Sequence, residues 1–77
     1  MFAKRLNETR KMRGYTAQEV ADLLGIGIRS YRNYESGDRE PSLEFLTMIA
    51  DFFNVSVDYL LCRIDDPNPR EERADES

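Results

Sequence analysis

The 77-residue sequence contains no histidine, no tryptophan and one cysteine, Cys62. Without histidine it lacks the side chain that most often serves as a general base near neutral pH, and a common metal ligand as well. One thiol can form neither an intrachain disulfide nor a cysteine cluster, which fits a reducing compartment. No set of nucleophile, base and metal ligands is visible, so we expect no catalytic residue, no metal site, no cofactor and no enzyme.

Long apolar runs are missing too. No run approaches the roughly 18 residues that a membrane helix needs, and the first residues, MFAKRLNETRK, lack the apolar stretch of a signal peptide. A chain of 77 residues with 40% hydrophobic and 34% charged residues is typical of one small globular domain. We therefore expect a cytoplasmic protein with no membrane partner.

Basic residues are outnumbered, and the formal net charge is -4. Residues 65–77 hold six acidic residues against two arginines, with two prolines and almost no apolar residue. This composition predicts a disordered acidic tail, which leaves residues 1–64 as the domain, with nine basic and nine acidic residues. In such a neutral domain, phosphate binding depends on whether the basic residues share one face.

Helical periodicity covers most of the domain. The predicted helices run over residues 2–13, 17–24, 28–36 and 43–53, followed by one or two turns from Val57. The residues expected to face the core of these helices are Phe2, Leu6, Val20, Ala21, Leu23, Leu24, Leu43, Leu46, Ile49, Ala50, Phe53, Val57, Leu60 and Leu61.

Capping residues mark where these helices begin and end. Thr16, followed three residues later by Glu19, predicts a capping box. Ser42 and Ser56 are expected N-caps of the fourth and fifth helices. Gly25 is expected to end the second helix in the left-handed conformation that side chains resist.

Several groups of residues stand in a characteristic order and spacing. They are Arg10; Thr16, Glu19-Val20-Ala21 and Leu24-Gly25; Tyr34-Glu35-Ser36-Gly37; Pro41-Ser42-Leu43 and Ile49-Ala50; and Val55-Ser56-Val57-Asp58-Tyr59-Leu60-Leu61. Together they resemble the helix-turn-helix domain of the lambda-repressor and Cro family, also called the XRE family. The resemblance covers residues 2–63 and implies an all-α, compact five-helix bundle.

The resemblance also implies that the helix at about residues 28–36 enters the major groove of double-stranded DNA. The candidate base contacts are Ile28, Arg29, Arg32 and Asn33, while Tyr31 and Tyr34 are expected to face the core. Arg29 is the first choice, because arginine can donate two hydrogen bonds to guanine. For Ile28, contact with a thymine methyl group and packing on Leu24 are equally supported.

Candidate phosphate contacts lie around that helix, at Ala17, Gln18, Ser30 and Arg39. For Gln18 and Arg39, an ordinary solvated surface role is the alternative. The basic residues of the first helix, Lys4, Arg5, Lys11 and Arg13, either add long-range attraction or form a solvated face. Two positions depart from the family pattern, Ala17 where glutamine is frequent and Gly27 where serine or threonine often caps.

The resemblance implies two further roles. Arg10 and Glu35 are expected to pair, tying the first helix to the end of the recognition helix; the alternative is two separate surface charges. Tyr59, Cys62 and Ile64 are candidates for a homodimer interface. The alternative is that they complete the core of a monomer.

The predicted function is that of a sequence-specific transcriptional regulator, a repressor that binds an inverted-repeat operator as a homodimer. The alternative is a protein-interaction module, antitoxin-like or adaptor, with weak or no DNA binding. The neutral domain and the acidic tail favour that alternative. The sequence shows no pocket for a small-molecule inducer.

Overall fold

The computed structural model describes residues 2–68, and all the regular structure in that range is helical. Five helices follow one another: α1 (Phe2–Met12), α2 (Ala17–Leu24), α3 (Ile28–Ser36), α4 (Leu43–Phe53) and α5 (Val57–Leu60). Helix α3 packs against α1 and α2, and α5 packs against α1 and α4. This arrangement confirms the predicted all-α five-helix bundle, with α1 one residue shorter than expected.

The N-terminal ends of the helices carry the predicted caps. Thr16 Oγ1 accepts a hydrogen bond from the Glu19 amide at 3.1 Å, and Glu19 Oε1 accepts one from the Thr16 amide at 2.8 Å. Ser42 and Ser56 cap α4 and α5 by accepting from amides three residues later, at 3.0 Å each. Each such cap contributes about 1 kcal/mol, so local sequence fixes where α2, α4 and α5 begin.

The turn between α2 and α3 depends on Gly25. This residue has φ 75°, as predicted, and its amide donates to the Asp22 carbonyl at 3.2 Å. The Ile26 amide donates to the Ala21 carbonyl at 3.0 Å, which closes the turn. Ala21 itself is fully buried. A larger side chain at this crossing would force the two helices apart.

The core lies where the five helices meet. Its largest fully buried side chains are Leu6, Thr9, Val20, Tyr31, Ile49 and Leu60. Tyr34 stacks on Phe45 with ring centroids 3.7 Å apart and planes within 8°. This stack connects the end of α3 to the start of α4.

Three leucines expected in the core are exposed instead. Leu23 and Leu43 are 64% and 78% exposed, and Leu61 is 37% exposed. Leu23 and Leu43 lie at the edges of the apolar stripes of their helices, slightly more than a quarter turn (roughly 100°) from the stripe centre. Leu61 follows the last helical residue of α5. Other side chains fill the inward positions, so these three remain at the surface.

The beginning of the predicted acidic tail contacts the bundle. The Pro67 carbonyl accepts a hydrogen bond from the Ser56 amide at 3.0 Å, and Asp65 lies 3.5 Å from an Arg5 nitrogen. The remainder of the predicted disordered tail, residues 69–77, lies outside the described residues.

Candidate nucleic-acid interface

Helix α3 has one buried face and one exposed face. Tyr31 and Tyr34 are 0% and 6% exposed and face the core, as predicted. Arg29 and Arg32 lie on the opposite face and are exposed. Within residues 2–68, neither guanidinium group makes a hydrogen bond or an ion pair. Both side chains therefore keep all their donors available for an external acceptor.

The other two candidate base contacts are less free. Ile28 is partly buried and packs against the core cluster. Asn33 is half-buried, and its main-chain carbonyl accepts a hydrogen bond from the Arg39 amide at 3.1 Å. The four candidates thus share the start and one flank of α3, with Arg29 and Arg32 the most accessible.

Three of the four candidate phosphate contacts lie at the first turns of α2 and α3. Ala17 and Ser30 are half-buried, and Gln18 is exposed. Gly27 begins α3 without a side-chain cap, so no side chain occupies the first amide groups of that helix. Free amides at a helix N-terminus favour anions. Without a cap, the first main-chain amides of α3 remain available as hydrogen-bond donors on the same surface as Arg29.

Arg39 is held close to the end of α3. Its guanidinium carbon lies 5.1 Å from the centroid of the Tyr34 ring, a cation–π distance. Tyr34 is in turn stacked on Phe45. The exposed Arg39 is therefore restrained beside α3.

Arg10 and Glu35 form the expected pair, within a larger network. Arg10 Nε donates to Glu35 Oε2 at 2.7 Å, and the two side chains are only 13% and 12% exposed. Asn7 Nδ2 donates to Glu35 Oε1 at 2.8 Å, and the Tyr31 hydroxyl donates to Oε2 at 2.5 Å. Arg10 also donates to the Tyr15 carbonyl at 2.8 Å. The network joins α1, α3 and the loop before α2.

This network shifts three pKa values, and the hydrogen bond to Glu35 raises the pKa of Arg10. Burial by itself would raise the pKa of Glu35, but hydrogen bonds from Arg10, Tyr31 and Asn7 outweigh burial and lower the pKa below its ordinary value. Burial and the hydrogen bond to Glu35 both raise the pKa of Tyr31. Glu35 is thus held ionised and Tyr31 neutral, the states in which their hydrogen bond forms.

Two arginines of the first segment have structural roles that the sequence did not reveal. Arg13 Nε donates to the Phe53 carbonyl at 3.0 Å, at the C-terminal end of α4. Arg5 lies with its guanidinium carbon 4.1 Å from the centroid of the Tyr59 ring and is 3.5 Å from Asp65. Neither contact has a local sequence pattern, because each joins residues at least 40 positions apart.

The candidate dimer residues are not a free apolar surface. Tyr59 is partly buried against the core, and Arg5 lies over its ring. The Ile64 carbonyl accepts a hydrogen bond from Arg5 at 3.4 Å. Cys62 is exposed, with a free thiol and φ 64°. Contacts within one chain therefore already use much of this surface.

Charge is unevenly divided along the chain. Residues 2–39 contain eight basic and five acidic residues, whereas residues 40–62 contain four acidic residues and no basic one. The first segment forms α1, α2 and α3, and the second forms α4 and α5. The excess of positive charge therefore accompanies the helix that carries Arg29 and Arg32.

The described residues contain neither a metal-binding cluster nor a membrane-spanning helix. No group of three or more histidine, cysteine, aspartate or glutamate side chains between residues 2 and 68 could hold a metal ion. In the same range, no helix is long and apolar enough to cross a membrane.

Comparison with protein-family models identifies one match. The model described as "Helix-turn-helix" covers residues 6–60. That range runs from the middle of α1 to the end of α5, and it includes both helices of the turn centred on Gly25.

Similar proteins carry the names of transcriptional regulators. The chain is 40% identical over 73 residues to the "Uncharacterized HTH-type transcriptional regulator YobD" of Bacillus subtilis, covering 95% of this chain and 65% of that protein. It is 52% identical over 63 residues to the regulator AnsR of the same organism, covering 82% and 54%. It is 42% identical over 60 residues to the "Cryptic phage CTXphi transcriptional repressor RstR" of Vibrio cholerae, covering 78% and 54%. The chain thus spans about half to two thirds of the length of these curated relatives.

Proposed function

Because this chain belongs to the helix-turn-helix family, whose model matches residues 6–60, we propose that it binds double-stranded DNA and regulates transcription. The observation that carries the proposal is the exposed face of α3, where Arg29 and Arg32 keep all their donors free within the described residues. The regulator names of its relatives support the same function and favour it over an enzymatic one. The proposed place of action is the cytoplasm.

The proposed contacts follow from the accessibility of each side chain. Arg29 donates two hydrogen bonds to a guanine edge in the major groove, and Arg32 and Asn33 contact neighbouring bases. The amides at the start of α2, near Ala17, bind phosphate groups. Gln18, Ser30 and Arg39 also bind phosphates, and Ile28 approaches a thymine methyl group only with its exposed part. Residues 1–64 constitute the proposed DNA-binding domain.

The finer proposal is a repressor that binds an inverted repeat as a homodimer. One such module makes a small interface with DNA, and two linked modules on half-sites about one helical turn apart gain affinity through effective concentration. A relative named as a repressor supports the direction of regulation. Cys62, exposed beside Tyr59 and Ile64, marks the proposed contact between copies.

Sedimentation of the purified chain tests the homodimer. We expect a dimer at micromolar concentration, and we expect Tyr59→Ala to shift the equilibrium toward monomer. Arg32→Ala, which changes an exposed residue of α3, serves as the control and should leave the distribution unchanged. A chain that sediments only as a monomer at these concentrations contradicts a preformed dimer.

Selection from a random pool of duplex DNA, sequenced over successive rounds near physiological salt, tests DNA binding. We expect a two-fold symmetric motif with half-sites about 10 bp apart. Arg29→Ala should relax preference at one base pair per half-site and cost about 1–3 kcal/mol. Arg63→Ala, an exposed arginine beyond α5, is the control and should preserve the motif.

A protein-interaction module is the second candidate. The run from residue 40 to 62, with four acidic and no basic residues, favours a basic protein partner for α4 and α5. The selection experiment separates the two candidates, because such a module would enrich no duplex above the input pool.

A further inference from the structure

Asp22 lies one helical turn after Gln18, and both side chains are exposed on α2. Gln18 Nε2 donates to Asp22 Oδ1 at 2.9 Å. A Gln–Asp contact at this spacing stabilises a helix only slightly. Its main effect is therefore on the orientation of the Gln18 amide.

The direction of this hydrogen bond determines whether the Gln18 side chain turns its amide nitrogen or its amide oxygen toward Asp22. A carboxylate only accepts hydrogen bonds, so Gln18 must turn its nitrogen, and not its oxygen, toward Asp22. The amide nitrogen carries two hydrogens. One is bound by Asp22, and the second remains free to donate to a phosphate oxygen, which is also only an acceptor.

The charge of Asp22 is not neutralised nearby. Within residues 2–68, no lysine or arginine forms an ion pair with it. The other acidic residue of α2, Glu19, is engaged in the capping box with Thr16. An unpaired carboxylate beside a phosphate contact repels the DNA backbone whatever the base sequence.

We propose that Asp22 is a positioning residue for DNA binding: it orients Gln18 toward a phosphate and, through its charge, weakens binding to every duplex. The inference rests on the proposed function and on Gln18 as a phosphate contact. Asp22 thus has two separable effects. Its oxygen accepts the hydrogen bond that orients Gln18, and its negative charge repels the DNA backbone independently of Gln18.

Two substitutions separate these effects. Asp22→Asn removes the charge but keeps an oxygen acceptor for Gln18, whereas Asp22→Ala removes both. Fluorescence anisotropy with the duplex enriched by selection measures the Kd at one salt concentration. We expect Asp22→Asn to bind about two- to five-fold more tightly than the wild type, because a like charge near the phosphates is gone. We expect Asp22→Ala to bind about two-fold more weakly than Asp22→Asn, because the amide is no longer oriented.

The same pair of substitutions in a Gln18→Ala background gives the decisive readout. Without the amide there is nothing to position, so the two variants should bind equally. Asp51→Asn, which neutralises an exposed aspartate on α4, is the charge-matched control and should leave the Kd within experimental error. Melting temperatures of all variants verify that folding is unchanged.

Three results overturn the inference: equal affinities of Asp22→Asn and Asp22→Ala with Gln18 present, a difference that persists in Gln18→Ala, or the same gain from Asp51→Asn. A wild-type chain that enriches no duplex in the selection overturns the proposed function as well. That outcome is seen before any variant is made, so the two failures are distinguishable.

Discussion

At the scale of single residues, Glu35 accepts hydrogen bonds from three other side chains. Asn7 and Arg10 of α1 and Tyr31 of α3 all donate to its carboxylate. Burial of a carboxylate is costly unless its oxygens are satisfied, and here the three donors satisfy them. The position of α3 on α1 therefore depends on a charge that must stay ionised.

Removing the cation from this network tests its contribution to stability. Arg10→Met deletes the donors to Glu35 and to the Tyr15 carbonyl and leaves the carboxylate largely buried. We expect the free energy of unfolding to fall by about 2 kcal/mol. For a domain of this size, that corresponds to a melting temperature lower by roughly 10 °C.

Circular dichroism during heating measures the change. Lys11→Met, at the exposed neighbouring position, is the matched control and should melt close to the wild type. An unchanged melting temperature for Arg10→Met would mean that the pair contributes nothing measurable.

Acidification tests the same network through Glu35. Folding lowers its pKa from an unfolded value of about 4.3. Its stabilising contribution is therefore complete above the unfolded pKa and disappears as the pH falls through the lower, folded pKa. We expect Glu35→Gln to be less stable than the wild type at pH 7, with a difference that narrows as the pH falls below about 4.

Urea unfolding at a series of pH values measures that difference. Glu40→Gln, an exposed glutamate in the loop before α4, should follow the wild type at every pH. A gap between Glu35→Gln and the wild type that is independent of pH would exclude titration of Glu35 as its cause.

At the scale of helices, the ends are fixed by two kinds of interaction. Thr16, Ser42 and Ser56 bond within four residues of themselves, so their roles could be predicted from sequence. The cap that Arg13 supplies to the end of α4 spans 40 positions and exists only once the helices are packed. Local chemistry is visible in sequence, whereas this contact depends on tertiary structure.

Arg13→Ala tests the cap against the alternative of a basic residue that attracts DNA. Loss of hydrogen bonds to the last carbonyls of α4 should reduce the free energy of unfolding by about 1 kcal/mol, measured as a lower urea midpoint. Lys11→Ala changes an exposed basic residue two positions earlier and should change the midpoint much less. A weaker DNA affinity with an unchanged midpoint would contradict the capping role.

The same distinction explains which apolar positions were mispredicted. Ile49 and Phe53 lie at the centre of the apolar stripe of α4, and both are buried. Leu43 fits the helical spacing equally well but lies at the stripe's edge, where no neighbouring helix covers it. Periodicity gives the direction of a side chain but does not show where the neighbouring helix ends.

At the scale of the whole molecule, the charges on α1 to α3 and those on α4 and α5 have opposite net sign. A net charge of -4 therefore conceals a basic segment and an acidic one. The candidate interface could be predicted from sequence because the residues that resemble the family pattern lie close together along the chain. The contacts of Tyr59 and Ile64 with Arg5 could not be predicted from sequence, because they depend on how the Arg5 side chain of α1 packs against the end of the domain.

Salt dependence of DNA binding tests whether Arg39 contacts a phosphate. Each neutralised phosphate contributes about 0.9 to the slope of log Kobs against log salt. We expect Arg39→Ala to reduce that slope by about one and to weaken binding similarly for all sequences. Arg63→Ala removes an equal charge beyond α5 and should leave the slope unchanged. Equal changes in both variants would indicate a diffuse electrostatic effect instead of a specific contact.

The two faces of α3 can change independently. Tyr31 and Tyr34 pack in the core, while within the described residues Arg29 and Arg32 contribute no hydrogen bond or ion pair to it. Substitutions at the two arginine positions should therefore have little effect on the free energy of unfolding. A library randomised at these two positions alone should consist mostly of folded proteins, so new DNA specificities would be reachable from this sequence by single steps.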